Sequence, residues 1–235
     1  MAAHERKCFA DGCALSEDQF GVFNVATDAL IDFDVTGFDA VVIGGSGDFS
    51  LVEGGFDWHQ DILTLVRRLI GVGIPTFGSC FGFQAIVQAM GGELDNRDAH
   101  SEVGTFSIEL TEAAGSDPIF GDLPTQFDAQ LGHNDSAVML PDGLTHLARS
   151  ACCEYQAVKV GELPIIATQF HPELTREGSL ARFRNYVENY KPPEHDVEDA
   201  MAYARQMHRP SPHASSLLPS FIDEVRRRCS VAAAL

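Results

Sequence analysis

The chain has 235 residues, 45% of them hydrophobic, enough for one large α/β core with an appendage. Its 34 Asp and Glu outnumber 16 Lys and Arg, and the formal net charge of -18 excludes a general nucleic-acid or anionic-membrane surface. The opening Met1-Ala2-Ala3-His4-Glu5-Arg6-Lys7 has no apolar signal-peptide core and no run reaches membrane-spanning length, so a cytoplasmic protein is expected.

Along the chain, Ser16-Glu17-Asp18-Gln19 reads as a helix start with a capping box. Gly21 to Val25 reads as a short strand and Ala40 to Ile43 as another, running into Gly44-Gly45-Ser46-Gly47-Asp48. Trp58 to Leu69 has the spacing of an amphipathic helix, and Pro75 to Phe77 that of a strand leading into a helix at Gln84 to Met90. Phe106-Ser107-Ile108-Glu109-Leu110 alternates apolar and polar, as a half-buried strand does. Further strands are expected at Gln126 to Leu131, Ala137 to Leu140, Leu144 to Ala148, Ala157 to Val160 and Ile165 to Gln169. Strand–helix alternation in the first half predicts a mainly parallel sheet with helices on both faces, and the later strands predict antiparallel additions. Lys191-Pro192-Pro193 ends the last helix of this unit. Beyond it, Val197 to Gln206 and Ser215 to Arg228 read as two short helices separated by Pro210 and Pro212. Leu217, Leu218, Phe221, Ile222 and Val225 form one apolar stripe on the second, which either packs back on the domain or docks a partner.

Two segments carry chemistry. In Gly78-Ser79-Cys80-Phe81-Gly82 a cysteine stands between a strand and a helix, flanked by glycines that admit strained backbone and close approach of a substrate. A helix N-terminus favours a thiolate and offers N–H groups to an oxyanion. In Gln169-Phe170-His171-Pro172-Glu173 a histidine and a carboxylate stand at another strand end, held off a helical path by Pro172. A thiol needs a base, and the base needs a group that orients it; Cys80, His171 and Glu173 supply all three. In an open α/β sheet ligands bind at the carboxyl ends of the strands, where Gly44, Cys80 and His171 fall.

With Val41-Val42-Ile43-Gly44-Gly45-Ser46-Gly47-Asp48 and Gly132-His133-Asn134-Asp135-Ser136 added, the chain resembles the class I (triad) glutamine amidotransferases, which have a flavodoxin-like fold. The likeness covers roughly Phe20 to Tyr190 and is greatest to the free-standing, GMP-synthase-like members. It implies a glutaminase that passes through a cysteinyl γ-glutamyl thioester at Cys80, with L-glutamine held by Gly47, Gln84, Asn134 and Asp135. The oxyanion would be received by the amides of Gly45 and Phe81. It divides the chain into an amidotransferase domain, 1–190, and a C-terminal helical extension, 191–235. Members of that family begin with an apolar strand near the centre of the sheet, and residues 1–19 contain none. Either the chain begins downstream of its natural start, or the sheet lacks one strand and has an open slot beside the strand ending at Gly44.

The sequence has no P-loop and no dinucleotide fingerprint, so activation of an ammonia acceptor is expected to fall to a synthetase partner. A γ-glutamyl hydrolase acting on amines or peptides would use the same residues. A non-catalytic binding or regulatory subunit would have no need to keep all three. Cys8, Cys13, Cys80, Cys152, Cys153 and Cys229 lack the paired spacing of a zinc site, and the nine histidines form no ligand motif. Free thiols, no cofactor and no metal are expected, with Cys152 and Cys153 on opposite faces of a strand.

Overall fold

The computed structural model describes residues 2–29, 33–187 and 196–232. Among these residues nine strands make a seven-stranded sheet and a two-stranded ribbon. The sheet runs β1 (Val41–Ile43), β2 (Thr76–Ser79), β9 (Ile165–Thr168), β8 (Ala157–Val160), β7 (Leu144–Arg149), β4 (Glu102–Leu110) and β5 (Gln126–His133). β1, β2 and β9 are mutually parallel, and the other four extend them antiparallel. β3 (Glu93–Asp95) and β6 (Ser136–Met139) form the ribbon. The fold is thus the expected α/β class, its parallel part confined to β1, β2 and β9, which deliver three of the four motifs.

Alternate side chains of one strand feed opposite cores, as the pleat requires. In β9, Ile165 and Ala167 enter one cluster and Ile166 the other. The first face is covered by α2 (His59–Val72) and α3 (Phe81–Ala89). Helix α2 buries Ile62, Leu63, Leu65, Val66 and Leu69 and stops at Gly73, a left-handed C-cap. The second face receives α1 (Ala2–Gly12) through Phe9, and the C-terminal helices α6 (Pro212–Ser215) and α7 (Leu217–Ala232). Of the two outcomes open for the 217–225 stripe, the structure has the packed one: all five side chains are buried, and Phe221 meets Phe77 edge-on with centroids 5.5 Å apart. The two remaining helices among the described residues are α4 (Arg176–Asn185) and α5 (Val197–Met207). No helix among the described residues is long and apolar enough to cross a membrane.

Three expectations change. Gly21 to Val25 is not a strand: Val22 is 62% exposed, and side chains take the backbone groups a ladder would need. There Asn24 Oδ1 accepts from the Ala26 amide and Asp28 Oδ2 from the Asn24 amide, local bonds that compete with a sheet. The capping residues at Ser16 enclose only a single 3-10 turn, 17–19, with the Gln19 side chain accepting from the Ser16 amide. Cys152 and Cys153 lie in the loop between β7 and β8 instead of a strand, the first exposed and the second buried. The Pro192-Pro193 break, like the proposed division at 190, lies outside the described residues. Among these residues no strand pairs with the outer edge of β1; α1 lies against its end, where a Cβ on Gly44 would meet Glu5 and Phe9.

Candidate active site

Cys80 is the hinge between β2 and α3, with φ +52 and ψ -97. For a residue with a Cβ this is strained backbone, worth of order 1–3 kcal/mol, that persists only where the surroundings fix it. They do so here through the Cys80 amide, which donates to Thr168 O at 2.8 Å, and through Gly82, where a side chain would collide with the backbone of Ile43. The parallel register pairs Ser79 with Thr168, so the ends of β2 and β9 bring Cys80 and the 169–173 segment side by side. His171 is pinned in turn by its amide, which donates to Gln130 O at 2.8 Å.

His171 Nδ1 donates to Glu173 Oε1 at 2.7 Å, and Ser79 Oγ donates to the other carboxylate oxygen at 2.9 Å. Both residues are buried, and among the described residues His171 Nε2 has no hydrogen-bond partner. With Nδ1 protonated toward the carboxylate, Nε2 is the atom left to exchange a proton. Burial alone would push the imidazole down, but the Glu173 charge, then Cys80, outweighs it and carries His171 up to about 9. Burial likewise opposes the Glu173 charge, yet the His171 charge and hydrogen bond hold that carboxyl below its ordinary value. Gln169 Nε2 lies 3.6 Å from Cys80 Sγ as a donor to sulfur.

Cys80 opens on a cavity of about 1220 Å³ that Gly47, Phe81, Gln84, Asn134 and Asp135 also line. The buried Gln84 side chain donates to the Asp135 carbonyl at 2.9 Å, while the Asp135 carboxylate accepts from Ser50 Oγ and the Val52 amide. Those two residues therefore hold the wall together, and the exposed Asn134 accepts from Ser101. The Phe81 amide is at the first position of α3, where a helix leaves its N–H groups without intrahelical partners. Gly45 is placed differently: its amide donates to Glu5 Oε1 of α1 at 2.9 Å, and Arg182 of α4 lies so close that a side chain at 45 would strike its guanidinium. Sequence reasoning missed Ser79, Gln169 and Arg182. The first two lie inside the motifs and were within reach; Arg182 sits in a helix with no motif around it.

His133, which is buried and lines the cavity, faces Glu102 behind the wall. Among the described residues, Glu102, His133 and Cys153 are the group whose donor atoms converge closely enough to hold a metal.

The model of the glutamine amidotransferase class-I family matches residues 19–186. The chain is 28% identical over 175 residues to a GMP synthase [glutamine-hydrolyzing] of Streptococcus mutans, covering 73% of this chain and 32% of that protein. It is 38% identical over 117 residues to one subunit of the GMP synthase [glutamine-hydrolyzing] of Methanothermobacter thermautotrophicus, covering 49% of this chain and 60% of the other. The chain thus spans about a third of the length of the longer relative. A crystal structure of a glutamine amidotransferase from Methylobacillus flagellatus superposes with a TM-score of 0.69 over 93% of this chain and 88% of its own, at 20% identity, a likeness of fold.

Proposed function

The chain belongs to the class-I glutamine amidotransferase family, and we propose that it hydrolyses the side-chain amide of L-glutamine at Cys80 and delivers the ammonia to a partner synthetase. The observation that carries this reading is the buried His171–Glu173 pair, whose free Nε2 stands beside a cysteine held in strained backbone. His171 Nε2 holds the thiol proton while Cys80 Sγ attacks the amide carbon. The C–N bond then breaks, the proton goes to the departing ammonia, and a γ-glutamyl thioester remains. Water, deprotonated by the same nitrogen, releases glutamate. Glu173 keeps the imidazole in the required tautomer and balances its charge. The amide of Phe81, with that of Gly45 once Glu5 has withdrawn, receives the oxyanion.

Relatives named as GMP synthases, one of them as a single subunit of that enzyme, support a partner that activates the acceptor and is supplied as its own chain. Replacing Cys80 with Ala should abolish glutamate release and labelling by an electrophilic glutamine analogue; substantial residual turnover would overturn the covalent route. The cavity favours a second reading. At about 1220 Å³ it exceeds the roughly 300–1,000 Å³ usual for a small-molecule site, and part of its wall comes from Asp199, Tyr203 and Met207 of α5. Such room suits a γ-glutamyl amine or peptide, and a hydrolase profile across those compounds against glutamine separates the two.

A further inference from the structure

We propose that Glu102, His133 and Cys153 form a binding site for one divalent cation of the zinc class, set behind the cavity wall and independent of Cys80. Glu102 and His133 stand directly opposite each other in the β4–β5 ladder, and Cys153 reaches them from the β7–β8 loop, where Ser150 fixes its backbone. The three are 0%, 3% and 3% exposed, and one donor atom from each lies within 4.8 Å of the others.

The hydrogen bonds around His133 call for a cation. Its Nδ1 faces the Asp135 carbonyl at 3.1 Å, and a carbonyl only accepts, so the hydrogen is on Nδ1. Ser136 Oγ, 3.2 Å from the same nitrogen, spends its own hydrogen on His100 O and agrees with that assignment. In this tautomer Nε2 turns a lone pair toward Glu102 Oε2 at 3.3 Å, an oxygen that already accepts from Gln156 Nε2. Two lone pairs do not face each other in a buried site without a positive charge between them. The pair stands at 3.3 Å, longer than the roughly 2.7–2.9 Å of a charge-assisted bond. Two ligands held at about 2.05 Å on a tetrahedral zinc are instead about 3.3 Å apart.

Two further atoms point the same way. Glu102 Oε1 and Gln156 Oε1 are both buried and, among the described residues, both without a partner. A metal held by both oxygens of Glu102 would satisfy Oε1, and Gln156 is tied to the same carboxylate through its Nε2. One sulfur, one imidazole nitrogen and carboxylate oxygen suit zinc, whereas magnesium and calcium take oxygen throughout. A carboxylate, a thiolate and a divalent cation also sum to zero charge, which a dry site requires. Binding breaks the Cys153 S–H bond, now directed at His100 O at 3.1 Å, and its proton leaves to solvent with no change of oxidation state. The ion would tie β4 and β5 to the 150–156 loop and so brace the turn that carries Asn134 and Asp135.

The test is titration of the chelator-stripped full chain with cobalt(II) as a spectroscopic stand-in, followed by competition with zinc. One equivalent is expected to bring up a sulfur-to-cobalt charge-transfer band with strong tetrahedral visible bands. Zinc should abolish both and raise the melting temperature by several degrees. The bands should persist in Cys80→Ser and vanish in Cys153→Ser. Should Cys153→Ser fail to fold, X-ray absorption on zinc-loaded Cys80→Ser decides, with one sulfur at about 2.3 Å and the remaining ligands near 2.0 Å expected. No band at one equivalent, a band lost with Cys80, or a zinc shell without sulfur would overturn the proposal. None of these readouts involves glutamine, so failure here leaves the proposed reaction untouched.

Discussion

The Gly45 amide donates to the Glu5 carboxylate at 2.9 Å, so the N–H assigned to the oxyanion is already taken by the first helix. Burial pushes the Glu5 carboxyl up from its ordinary value, and Arg182 only partly offsets this. Glu5→Ala is therefore expected to raise kcat for glutamate release several-fold and to lower the melting temperature by a few degrees, measured on the same preparation. A fall in kcat would show that Gly45 is not a donor to the reacting carbonyl.

The strain at Cys80 gives a prediction that separates chemistry from stability. Glycine adopts φ +52 without penalty, so Cys80→Gly should be more stable than Cys80→Ala by about 1 kcal/mol, or about 2–4 °C in Tm for a chain of this size. Neither variant should release glutamate. Equal melting temperatures would mean the backbone there is not strained.

His171 sets a stability window in pH. Its folded value, about 9, lies above the unfolded value near 6.5, so the imidazolium–carboxylate pair contributes fully below about pH 6.5. That contribution is lost as pH rises toward 9. Chemical denaturation between pH 6 and 10 should show falling stability in the native chain and a flatter profile in His171→Ala, beyond changes shared by both.

Removing the base outright should cost more than removing its support. His171→Ala is expected to lower kcat by several orders of magnitude, and Glu173→Gln by about 10²–10⁴-fold. Ser79→Ala, which takes away the 2.9 Å bond to Glu173 and a 3.4 Å contact with His171 Nδ1, should cost about tenfold. If Glu173→Gln proves worse than His171→Ala, the roles of the two are misassigned.

How much of this was legible depended on distance along the chain. The turn at Cys80 and the strand end at His171 are local, spelled by glycines, a proline and apolar runs within a few residues, and their strands and helices stand where those patterns put them. The apolar stripe of α7 was equally plain, but periodicity says only that a face is buried, not that Phe77 of β2 meets it. Gly21 to Val25 misled because Asn24 and Asp28 bond the backbone themselves, a competition that a count of β-formers does not register. Glu5 and Arg182 escaped notice altogether. They sit 40 and 137 residues from Gly45 in sequence, and nothing but folding brings them to it.

The match to the family ends at residue 186, yet the cavity beside Cys80 is walled as far as His208, by Asp199, Tyr203 and Met207 of α5. A piece cut at the family boundary would keep the nucleophile, the base and its carboxylate but leave them facing a trough open along one side. Choice among substrates would then weaken more than the capacity to cleave them. Two chains alike through residue 186 but different after it can thus be expected to prefer different amides.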